Sequence, residues 1–152
     1  MSTGYDVFPL VEFISVEENA ARLEAMWITP PSEGGAERDP TLAEVRSALG
    51  DLGYVLATET EERNNLSLWV RTPKEGGTII TLENYVSTLG DHVPYRLSFH
   101  HGSPRLVVAI VERLARNCGA FVVMENGGDC IIVEQGTDPD AGWTSLWSRD
   151  QL

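Results

Sequence analysis

Residues 98–105, SFHHGSPR, hold the side chains best suited to chemistry in this chain. His100 and His101 end an apolar run, Gly102 follows, and Ser103, Pro104 and Arg105 then read as the opening of a helix. Imidazoles serve as metal ligands and as general acids or bases. Adjacent residues on an extended chain point to opposite faces, so His100 and His101 do not converge on one metal. Asp91 and His92 precede the same strand and fall at its other end, a strand length away. Ser103 suits a helix cap better than a nucleophile, with Pro104 as first helical residue. The stretch therefore reads first as a strand-to-helix corner. Its natural ligand is an anion at the helix N-terminus, met by His100, His101, Ser103 and Arg105. No metal, cofactor or catalytic set is expected.

The rest of the chain supplies no assembled motif. GxGxxG after a strand, GxxxxGK[ST], HExxH and GxSxG do not occur. NGGDC at 126–130 is glycine-rich but sits in a hairpin, where it has no helix to aim at a phosphate. Cys118 and Cys130 have no nearby Cys or His at zinc spacing and read as two buried free thiols.

Charge says more. The 152 residues carry 23 acidic against 11 basic side chains, a net charge of -12. Such a field repels phosphates and argues against nucleic-acid binding. It suits a basic protein partner, whose approach it would speed, or serves solubility alone. Lys74 is the only lysine, an arginine bias expected of a GC-rich bacterial genome. No apolar run is long enough to span a membrane. The first residues, MSTGYDVFPL, do not resemble a signal peptide, so a cytoplasmic protein is expected.

These residues need elements to position them. Ser15 and Glu18 form a capping-box pattern ahead of a helix over about 16–27, with Val16, Ala20, Leu23 and Trp27 at helical spacing. Residues 29–40, with three prolines and two glycines, read as a loop. Thr41 and Glu44 open a second helix, whose stripe is Leu42, Val45, Leu49 and Leu52 and which Gly53 closes. YVLATET, LSLWVRT and TIITLENYV form a meander of strands, with Leu66, Leu68 and Val70 alternating inward. PYRLSFHH is a fourth strand, with Tyr95, Leu97 and Phe99 on one face and Arg96, Ser98 and His100 on the other. RLVVAIVERLARNC is the central core helix, with Val107, Ile110, Val111, Leu114 and Cys118 buried and Glu112, Arg113 and Arg116 wet. AFVVMENGGDCIIVEQ is a hairpin turning at Asn126 and Gly127.

Helix, glycine, strand, turn, strand occurs over 41–72 and again over 104–135. With the apolar runs AMWIT and YRLSF ahead, each half reads as strand-helix-strand-strand. The expected fold is a single α+β domain over residues 1–152: a mostly antiparallel sheet with about three helices on one face. Such doubled units resemble the GyrI-like ligand-binding architecture in topology, a likeness that carries no motif.

Three function classes follow. The first is a non-enzymatic acidic protein-binding domain, such as an inhibitor or a toxin-neutralising immunity protein. Its anchors would be Trp69, Trp143 and Trp147, since tryptophan is enriched at interface hot spots. The second is a small-ligand domain with a cleft between the half-repeats, lined by Trp27, Trp69 or Tyr85. The third is an enzyme built on His100 or His101.

Overall fold

The computed structural model describes residues 4–26, 28, 37–126 and 129–140. Strand β1 (Gly4–Pro9) runs into two short helices, α1 (Leu10–Ile14) and α2 (Glu17–Ala25). Helix α3 (Leu42–Leu52) follows, then the meander β2 (Val55–Glu62), β3 (Asn65–Arg71) and β4 (Gly77–Leu82). Strand β5 (Leu97–His100), helix α4 (Pro104–Cys118) and the hairpin β6 (Phe121–Glu125) and β7 (Cys130–Val133) complete the order. All seven strands form one antiparallel sheet in the order β2-β3-β4-β5-β1-β6-β7. The fold class is the expected α+β. Among the described residues no helix is long and apolar enough to cross a membrane.

Alternation along the strands explains how the helices divide. Leu66, Leu68, Val70, Ile80, Leu82, Leu97, Phe99, Tyr5 and Val7 share a core with Val45 and Leu49 of α3 and with Ile110 and Leu114 of α4. Phe121, Val123, Ile131 and Val133 point into that same core. Their neighbours Val122 and Cys130 point the other way and pack with Leu10 and Phe13 of α1 and Leu23 of α2. Among the described residues the sheet is therefore covered on one face by α3 and α4, and on the other, at its β1-β6-β7 end, by α1 and α2. This corrects the expectation of helices on one face.

A latch marks the border of the second covering. Arg96, just ahead of β5, pairs with Glu12 of α1 and with Asp39 at 3.1 Å, and its guanidinium lies 4.9 Å from the centre of the Phe8 ring. Beyond it that face of β2, β3 and β4 has no helix over it among the described residues.

Local signals largely perform as expected. Thr41 Oγ1 accepts the Glu44 N–H and Glu44 Oε1 accepts the Thr41 N–H, the full capping box. Gly53 closes α3 with a left-handed φ of 75°. Ser103 caps α4 by accepting the Leu106 N–H. The Ser15–Glu18 box does not form. Val16 is the N-cap of α2, and Ser15 instead donates to the Glu12 carbonyl at the end of α1. The extra turn of helix after Pro9 holds Ser15 in helical backbone geometry (φ -66°, ψ -21°) as the C-cap of α1, not in the extended geometry of an N-cap. Glu112 is also corrected: it is buried, not wet. Burial alone would raise its pKa, but the fork of Arg116 and the Gly136 N–H outweigh it and hold the carboxyl below its ordinary value.

The half-repeat is met one-sidedly. β5-α4-β6-β7 has the expected order, but Ala25 ends α2 and Met26 caps it, so the described residues of AMWIT hold no strand. Among the described residues the strand ahead of α3 is β1. β6 lies one strand in from the β7 edge with only β1 between it and β5, whereas β2 lies at the opposite edge with β3 and β4 between it and β5.

One pH effect follows from α3. The two-pronged hydrogen bond from Arg38 to Glu44, at 2.7 and 2.8 Å, with the cap bonds, lowers the Glu44 pKa from 4.5 to about 2. A depressed carboxylate stabilises the fold above its unfolded pKa and loses that contribution as pH falls through the folded one. Urea denaturation should show stability dropping from about pH 4.5 towards pH 2, less steeply in Glu44→Gln. Equal slopes would place the acid sensitivity elsewhere.

Candidate functional site

The open half of the second sheet face is a surface of short hydroxyl side chains around one large ring. On β2 it carries Thr58, Thr60 and Glu62, on β3 Asn65, Ser67, Trp69 and Arg71, and on β4 Ile79 and Thr81, all opposite in direction to the core leucines of the same strands. Trp69 is 50% exposed, with Thr58 and Ile79 directly across on its two neighbours.

Two depressions meet at this ring. One, of about 310 Å³, is lined by Ala57, Thr58, Trp69, Arg71, Ile79 and His101 among others. The other, of about 460 Å³, includes Thr60, Glu62, Arg63, Ser67, Trp69 and His100. Both contain Trp69 and Ile79, so the two form one shallow groove with an apolar middle. Its rim is mixed in charge, with Glu62, Arg63 and Arg71. Two further acids of β2, Glu59 and Glu61, stand across from Leu68 and Leu66 and so point to the other face of the sheet.

The corner at 98–105 supplies the two histidines. His100 ends β5, opposite Gly4 and Ile79. His101 has a left-handed φ of 63°, so alternation fails at this residue and both side chains line the groove rather than opposite faces. The Thr78 hydroxyl lies 3.0 Å from the His101 carbonyl oxygen and 3.2 Å from that of His100, one proton shared between two acceptors. Gly102, at φ 96°, continues the bend, and a Cβ there would meet the Thr78 Cβ at 2.9 Å. Gly102→Ala should therefore cost more than about 1 kcal/mol in chemical denaturation. An unchanged midpoint would show that the corner yields freely.

The other two corner residues face different work. Ser103 is spent on the α4 cap. Arg105 pairs with Glu75 and donates to Asp140 at 2.7 Å, so two carboxylates already match its charge. Of the four residues proposed for an anion, Ser103 and Arg105 thus already hold partners within the protein. His100 and His101 instead join Trp69, a grouping the sequence did not suggest. Trp27, Trp143 and Trp147 lie outside the described residues. Tyr85 is away from the groove, its ring 5.3 Å from that of Tyr95. Asp91 accepts from Arg46 at 3.1 Å.

Among the described residues no three His, Cys, Asp or Glu side chains are placed to hold a metal ion. Both cysteines are buried and free. Burial first, then the Glu44 charge, pushes the Cys118 thiol up to about 12, and burial raises Cys130 as well. Neither is a thiolate at neutral pH.

Compared with known proteins, the chain matches no protein-family profile, no curated protein and no solved structure.

Proposed function

We propose that this protein is a non-enzymatic, acidic protein-binding domain of the inhibitor or immunity type, acting in the bacterial cytoplasm on a basic protein partner. The observation that carries this reading is Trp69, half exposed in the middle of a groove on a stretch of sheet that no helix covers among the described residues. Burying a tryptophan flanked by a polar rim is the usual anatomy of a protein-protein hot spot. The net charge of -12 supports a basic partner and speaks against nucleic acid. The two buried free thiols suit a reducing compartment.

The test is the salt dependence of association. With the partner isolated by affinity capture from the source cells, its association rate should fall steeply between about 0.1 M and 1 M salt, as the Debye length shrinks from about 10 Å to about 3 Å. A rate flat in salt would assign the charge to solubility and remove the main support for a basic partner.

The groove also supports a second reading, a small-ligand domain. Its two parts, about 310 and 460 Å³, fall in the range of small-molecule sites. They lie on β2-β3-β4, however, not at the junction of the half-repeats. A small-molecule screen giving saturable binding that Trp69→Ala abolishes, together with a partner rate flat in salt, would put this reading first.

A further inference from the structure

We infer that the edge strand β2 receives an extended, basic segment of the partner as an eighth strand of the sheet. This rests on the protein-binding reading and names how the partner is held.

The sheet has two edges, and they differ. β7 has four residues, three of them buried. β2 has eight, all exposed except Leu56. A long exposed edge carries unpaired peptide groups that template another strand, and extended peptides use such edges by strand addition.

The hairpin fixes which groups face out. Arg63 and Asn64, at φ 50° and 65°, form the two-residue turn between β2 and β3. Glu62 and Asn65 close that turn and exchange their hydrogen bonds. Bonding alternates along an antiparallel pair, so the peptide groups of Thr60 face β3 and those of Glu61 and Glu59 face outward.

Charge selects the occupant. In an antiparallel pairing of two copies about Thr60, Glu59 would stand opposite Glu61, and like charges across a ladder destabilise it. A second copy is therefore a poor eighth strand, and a segment carrying Lys or Arg is a good one. Arg46 engages Glu59 at 2.8 Å but is shared with Asp91, while Glu61 and Glu62 make no ion pair among the described residues. The groove opens towards this edge: Ala57 and Thr58 of β2 line it together with Trp69. An added strand thus reaches over the short Thr58 side chain to the ring with one residue in two.

The test uses the full chain and a capped peptide alternating lysine and valine, about as long as β2. Binding should slow amide exchange at Glu59 and Glu61. Methylating alternate peptide nitrogens, which removes donors and keeps the charge, should weaken binding about tenfold or more. Glu61→Gln should weaken binding at low salt and little at high salt. Glu61→Pro, which also deletes an outward N–H without breaking a β2–β3 bond, should weaken it at both. Equal binding of the methylated peptide, unchanged exchange at Glu59 and Glu61, or no binding of the peptide at all would overturn the edge assignment. The protein-binding reading would survive those results if the natural partner still associates in a salt-dependent way. It would fall with a salt-flat rate.

Discussion

Phe99→Ala should lower folding stability by about 3–5 kcal/mol, the largest single loss expected in this chain. Phe99 is fully buried in β5, between Tyr5 of β1 and Ile80 of β4, where both halves of the sheet meet under α4. Truncation there removes transfer energy and leaves a cavity that two paired strands cannot close. Leu114→Ala, on the α4 face of the same core, should cost about 2–5 kcal/mol. Chemical denaturation measures both. A loss under about 0.5 kcal/mol at either would mean that α4 and β5 are peripheral and that the core lies elsewhere.

Trp69→Ala should do the reverse: leave the fold nearly intact and remove about 2 kcal/mol or more of partner binding, roughly thirtyfold in Kd. Half of Trp69 already faces water, so truncation forfeits far less burial than at Phe99. What it removes is the largest apolar side chain of the groove, leaving Ile79 among the hydroxyls of Thr58, Ser67 and Thr81. Titration calorimetry with the isolated partner would show the loss, and an unchanged denaturation curve would show that the fold is retained. Binding within about twofold of wild type would take Trp69 out of the interface.

Much of this arrangement was legible in the chain. The capping box at Thr41 and Glu44, the Ser103–Pro104 opening and the closing Gly53 work through bonds a few residues long, and local chemistry decides them. The Ser15–Glu18 box misled because its serine had a second use, at the end of a short helix starting directly after Pro9. Periodicity of charge also misled at Glu112, since Arg116 one turn on lets a carboxylate enter the core.

The open groove had a signal too. FVVM and CIIV are apolar without alternation, the mark of strands covered on both faces, whereas LSLWV alternates and so keeps one face wet. Trp69 stands at a wet position of an alternating strand. That contrast separates the covered end of the sheet from the uncovered one. The joining of Trp69 with His100 and His101 was beyond the sequence. It depends on strand order, which places β4 against β5, and on the left-handed turn at His101.

The most direct measurement is a photo-crosslinking comparison in the source cells. A photoreactive benzoylphenylalanine is placed at Thr60, on the exposed edge of the groove, or at Glu18, exposed on α2. Irradiation should yield one discrete protein adduct from position 60, lost when Trp69→Ala is added, and none from position 18. An adduct from position 18 alone, or none from either, would contradict a partner bound on the open half of the sheet.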